Sequence, residues 1–248
     1  MKRKLSSLLL TLTLALTPSP VAAAPLGDLL LRGFQVLQLN NISQRDEIAL
    51  GQQMHRQLLS QEFQVSRDRQ SRNKVNQIGQ RLARVSPRPD LPFTFTVVQD
   101  REVNAFATLG GYVYVTTGLL QVANTQDQLA GVLSHEITHI TDRHLLDQMQ
   151  QRAIAQGLAS AVGLNENTLV GLGTNLALNL PQSREDEFEA DTGGINLMRR
   201  AGYNPQGMVT FLTKLLRSSS SPSFLSTHPA TQERIQALNR QLGSERYQ

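Results

Sequence analysis

The sequence predicts an α+β fold that is mainly α-helical, and three observations predict it. Helical spacing of apolar residues recurs through most of the chain. Strand-type alternation is confined to one stretch, between Pro92 and Leu120. The core must rest on Leu, Val, Ile and Ala, because the 248 residues include no Trp, 4 Tyr and 8 Phe. That length suits one substantial domain or two small ones.

The chain opens with a positive segment, Lys2, Arg3 and Lys4, followed by the apolar run Leu5–Leu16 and the small residues of "TPSPVAAAP". This is the three-part layout of a secretory signal peptide, expected to span 1–23. The run is too short, and too rich in Ser and Thr, for a membrane helix of about 20 residues. Residues 24–43 read as an N-terminal lead-in and 44–248 as the working domain. Export to the periplasm, or secretion, is the expected location, with no transmembrane helix after signal cleavage. Peripheral contact with a membrane stays open.

The leader also explains the charge. The whole chain has 24 basic and 20 acidic residues, a net charge of +4, and a sequence pI of about 9.8. Losing residues 1–23 removes three basic residues and leaves 21 against 20. Without an aromatic and basic strip, no nucleic-acid partner is expected. The absence of cysteine excludes disulfides, thiol catalysis and Cys-type zinc sites.

From Ser43, a plausible N-cap, "QRDEIALGQQMHRQLLSQ" reads as a helix. A second helix carries Val75, Ile78, Leu82 and Val85 at helical spacing. Pro87, Pro89 and Pro92 interrupt the pattern. "FTFTVVQD" alternates as a half-buried strand, and "NAFATLGGYVYVTTGLL" reads as two strands around a Gly110-Gly111 turn. The expected sheet is small and antiparallel. Helical patterns then cover roughly 125–150, 152–163, 168–179, 184–201, 205–217 and 229–242. Residues 152–180 read as two packed helices, with a lid, groove wall or oligomer contact as alternatives.

The chemistry concentrates in "GVLSHEITHITDRH", which holds three of the five histidines. His135 and His139 are four apart, about 400° on a helix, so both rings share one face. Two imidazoles so placed bind one tetrahedral zinc ion, and Glu136 flanks the metal as a base for its activated water. A solvated helix face carrying incidental histidines is the plainer reading. His144 lies five residues past His139, about 140° around the helix, so it reads as a surface or packing residue. The third ligand must then come from elsewhere. "SREDEFEAD" offers Glu187 and Asp191, again four apart; one is suited to bind zinc and the other to orient a ligand histidine.

These residues carry a family resemblance. "HEITH", "EFEAD", "NAFATLGGYVYVTTGLL", "LMRRAGYNP" and "STHPATQERI", in this order, resemble the zinc metallopeptidase family of HtpX and the type I CAAX prenyl proteases. The resemblance spans most of residues 44–242 and is nearest to small, soluble, exported members. It implies a gluzincin-like domain with one Zn2+ per chain, bound by His135, His139 and Glu187. It implies Glu136 as general base and Asp191 as the acid orienting a ligand histidine. His228 and Arg234 match positions near the catalytic centre, in contact with substrate or oxyanion, with a metal-capping role for His228 as a variant. Asn104, Ala105, Phe106 and Ala107 match an edge strand that lays out substrate as an added strand. The implied activity is zinc-dependent endopeptidase of the cell envelope, acting on proteins or peptides, including misfolded envelope proteins. The alternative is an envelope chaperone or assembly factor with structural or latent zinc.

Overall fold

A computed structural model describes residues 42–155, 166–218, 222–229 and 231–244. The leader expected at 1–23, and the lead-in through residue 41, lie outside the described residues. Helix α1 (Gln44–Gln57) starts at Ser43, whose side chain accepts from the Asp46 N–H, and runs into a wider π-type turn at Leu58–Glu62. Helix α2 (Arg69–Ala83) is capped by Asp68. Strands β1 (Thr94–Val98), β2 (Ala105–Ala107) and β3 (Tyr112–Thr116) follow. Then come α3 (Thr117–Val122), α4 (Gln126–Thr141), α5 (His144–Ala155) and α6 (Glu166–Asn179). The chain continues through α7 (Arg184–Arg200), α8 (Gln206–Leu216), α9 (Ser223–Thr227) and α10 (Thr231–Ser244). No helix of the described residues is long and apolar enough to cross a membrane.

The architecture is mainly helical, with one three-stranded sheet in the order β1-β3-β2. The sheet is mixed, not purely antiparallel: β1 pairs with β3 in parallel and β2 pairs with β3 antiparallel. The reason lies in the connection. Residues 99–104 carry the chain past the end of β3, so β2 returns on the far side and β3 fills the gap. Thr116 fastens this crossover. Its hydroxyl donates to the Glu102 and Asn104 carbonyls and accepts from the Asn104 N–H. Pleating then sends alternate β3 side chains into two cores. Val113 and Val115 join a cluster with α2, α4 and α8. Tyr114 joins one with α1, α5 and α6.

Helix α4 is the spine. Every residue from Leu129 to Thr141 is buried, as expected for a helix packed on several sides. It touches α2, α7, α8 and β2. Thr125 caps its start by accepting from the Gln128 N–H. Its end differs from the single helix expected over 125–150. Arg143 adopts φ 64°, a left-handed conformation that ends the helix, and a new helix starts at His144. Arg143 and Arg88 both reach the buried Glu47, at 2.9 Å and 2.8 Å. This pair of ion pairs fixes α1 against the end of α4.

Two glycines bring α7 onto α4. A Cβ on Gly193 would lie 2.5 Å from Thr138 Cγ2, and one on Gly194 would lie 3.1 Å from Ser134 Oγ and 3.2 Å from the His135 backbone nitrogen. Their bare backbones permit a close approach. The acids of α7 reach the histidines of α4 for that reason.

Candidate metal centre

Four buried side chains from three elements converge. His135 and His139 project from α4, Glu187 from the first turn of α7, and His228 from the end of α9. Their ligand atoms all lie within 4.8 Å of one another. His135 Nε2 is 3.0 Å from His139 Nε2 and 3.2 Å from His228 Nδ1. Glu187 Oε1 is 2.9 Å from His228 Nδ1 and 3.4 Å from His139 Nε2, and its Oε2 is 3.6 Å from His135 Nε2. A tetrahedron with zinc bonds of about 2.0–2.1 Å has edges of about 3.3–3.4 Å. The observed separations bracket that value.

The protonation pattern also asks for a cation. His135 Nδ1 lies 3.0 Å from Asp191 Oδ1, and a carboxylate accepts, so that nitrogen carries the proton. His135 Nε2 therefore presents a lone pair. It does so in a site where burial pushes the His135 imidazole down to about 3, outweighing Glu187 and Asp191, which push it up. Burial opposes the charge of Glu187, but His228 and Arg234 hold its carboxyl well below the ordinary range. A neutral imidazole, a second ring and an ionised carboxylate converging in a dry site fit zinc.

Glu136 faces the same space without joining the tetrad. Burial raises its carboxyl, against His228 and His139 nearby. Its Oε1 is buried and, among the described residues, has no hydrogen-bond partner, the condition of a base that awaits one. Phe106, Ala107, Glu136, His139 and His228 line a cavity of about 20 Å³, room for about one water. Asn104 and Ala105 lie in or beside β2 but outside this lining. Among the described residues β2 pairs with β3 alone, so it is an edge strand of the sheet; Ala105 and Phe106 are buried and Ala107 is half-buried.

Two further residues complete the surroundings of the tetrad. Arg234, expected near the catalytic centre, places its guanidinium against the two acids of α7. Nε and Nη2 donate to the two Asp191 oxygens, both at 2.7 Å, and Nη1 donates to Glu187 Oε2. His144, expected at the surface or in packing, is packed in, 3% exposed, but its ring points at the site: Nδ1 is 2.8 Å from His139 Nδ1. The continuous helix that would have turned it away does not exist, because the chain turns at Asp142–Arg143. Burial lowers the His144 imidazole, and His139 adds to the effect.

The comparisons agree with this constellation. The model of "Peptidase family M48" matches residues 69–242. The chain belongs to peptidase family M48. Among its M48 relatives, "Beta-barrel assembly-enhancing protease" of Escherichia coli K12 is 36% identical over 179 residues, 65% of this chain and 37% of that protein. "Metalloprotease LoiP" of the same organism is 31% identical over 164 residues, 62% of this chain and 64% of that protein. "Mitochondrial metalloendopeptidase OMA1" of Schizosaccharomyces pombe is 32% identical over 174 residues, covering 66% and 51%. The matched part is thus a little over a third of the assembly-enhancing proteases.

Proposed function

We propose that this M48 chain is a zinc-dependent endopeptidase of the cell envelope, exported by its leader and engaged in protein quality control. The observation that carries the reading is the unpartnered Glu136 oxygen beside a buried His135–His139–Glu187 donor set. His135, His139 and Glu187 would hold zinc, which would supply Lewis acidity towards a carbonyl and lower the pKa of a water near it to about neutral. Glu136 takes a proton from the attacking water and returns it to the leaving amine. Burial keeps the carboxyl's affinity for the proton high. Asp191 holds the His135 ring by accepting from Nδ1–H. Arg234 compensates both buried acids, which supports a positioning role for it beside the ligands. As an edge strand, β2 is the element suited to take an extended peptide as an added strand, with Phe106 and Ala107 lining the same cavity as Glu136 and Asn104 and Ala105 continuing the strand. Substrates are proteins or peptides, misfolded envelope proteins among them.

A second reading, an assembly factor or chaperone with latent zinc, is favoured by His228. Its Nδ1 stands at the fourth corner of the donor set, and closed four-ligand sites are structural whereas catalytic ones keep a position open. Phe224 stacks on the ring at 4.4 Å. The Phe224 N–H donates to the Val103 carbonyl, and the Gln182 N–H to that of Thr227.

Metal analysis of the purified protein, followed by casein digestion with and without a chelator, tests the primary reading. The expected result is one zinc per chain and chelator-sensitive cleavage. A metal-free protein, or cleavage that survives chelation, ends it.

A further inference from the structure

The His139 ring needs a partner on the side away from the donor set. A ligand imidazole that binds through Nε2 must carry its proton on Nδ1, and that N–H needs an acceptor when buried. For His135 the acceptor is Asp191. Among the described residues no acid reaches His139 Nδ1; the atom 2.8 Å away is His144 Nδ1. The other His144 nitrogen, Nε2, lies 3.3 Å from Glu189 Oε2.

We infer that His144 is the positioning residue of His139, the counterpart of Asp191, and that the Glu189–His144–His139 chain sets the tautomer that leaves His139 Nε2 free for metal. This rests on the zinc reading of the site. The logic runs inward from the surface. A carboxylate only accepts, so Glu189 draws the His144 proton onto Nε2. His144 Nδ1 then carries a lone pair and accepts from His139 Nδ1–H. His139 Nε2 is left as a lone pair aimed at His135 Nε2 and Glu187. The opposite arrangement would face two lone pairs at the Glu189 end. Because Glu189 is 66% exposed along its side chain, water can take over its share, so most of the effect belongs to His144. The same protonation removes a competing possibility. Asp142, His144 and Glu189 converge as a second metal-like cluster, but a His144 Nε2 that carries the proton is a donor and not a ligand.

The test is zinc affinity, measured by chelator competition on His144→Asn, His144→Gln and His144→Leu beside wild type, with zinc-free melting curves to certify folding. Asn places its carbonyl oxygen near the position of Nδ1. Gln reaches towards Nε2 and leaves the Nδ1 position unfilled. Leu removes both partners. Loss of a partner of this kind typically costs roughly 10–100-fold in metal affinity. The expected pattern is about 10–100-fold weaker zinc for Leu and Gln, and within about threefold of wild type for Asn. Equal affinity for all, or equal loss in Asn and Gln, overturns the inference; the Asn–Gln comparison stands even where Leu does not fold. A wild type that holds no zinc at all sinks the zinc reading instead, so the two failures are distinct.

Discussion

Glu136 Oε1 lies 3.5 Å from His228 Nε2 and, among the described residues, accepts no hydrogen bond. The base thus faces the ring whose other nitrogen, Nδ1, stands at the fourth corner of the donor set, and both residues line a cavity for about one water. Their separate substitutions have different consequences.

Glu136→Gln keeps the shape of the site and removes the base. Cleavage falls by about 10²–10⁴-fold, while zinc content stays at the wild-type value because Glu136 is outside the ligand set. Casein digestion paired with metal analysis of the same sample checks this. Full cleavage by the Gln protein would falsify the mechanism.

His228→Ala opens the fourth corner and leaves three ligands. Hydrolysis is expected to rise while one zinc per chain is retained. Initial rates on a quenched peptide decide the matter: a collapse of activity would instead put His228 at the reacting atoms.

Arg234→Ala leaves Glu187 and Asp191 buried without their main counter-charge. Breaking a buried pair in this way typically costs about 3–5 kcal/mol. Denaturant unfolding of the zinc-free protein should show that loss, and zinc should recover part of it by neutralising Glu187. An unchanged midpoint would contradict the role given to Arg234.

Gly193→Ala tests the helix contact that delivers the acids. The new methyl meets Thr138 at 2.5 Å, so α7 must shift. Overpacking of this kind costs about 1–3 kcal/mol, and zinc affinity should fall with stability because Glu187 and Asp191 ride on the same helix. Stability loss with unchanged zinc affinity would separate the two.

His55 gives an acid-side signature. Its ring contacts the Tyr114 hydroxyl at 2.8 Å, and burial, followed by Arg56, lowers its pKa. The unfolded chain therefore binds a proton first. The ring's contribution to stability is complete above the unfolded value of about 6.5 and is lost as pH falls below it. His55→Gln should flatten the fall in melting temperature between pH 7 and pH 5. A slope identical to wild type would remove His55 from the account.

Much of this site is legible in the sequence because helical period is a reliable ruler over four residues. It puts His135 beside His139 and Glu187 on the face of Asp191. The ruler fails where a helix ends without a visible stop. Nothing at Asp142–Arg143 resembles the usual glycine or proline, and Arg143 takes a left-handed conformation that its residue type does not advertise. His144 was misplaced for that reason. Strand alternation identified β1, β2 and β3 but says nothing of which neighbours pair, so the parallel β1–β3 contact was beyond it. The partners of Arg234 sit 43 and 47 residues away, on a helix whose approach depends on packing.

The corner at Asp142–Arg143 divides the centre into separately editable parts. One helix presents the two imidazoles, and a different helix, beginning after two intervening residues, supports one of them from behind. Deleting a single residue at the corner would leave every letter of "HEITH" in place and still swing His144 off His139. A chain with an intact motif and an altered corner would look competent in an alignment while holding its metal poorly. The length of that corner, as much as the motif before it, is therefore part of the site's specification.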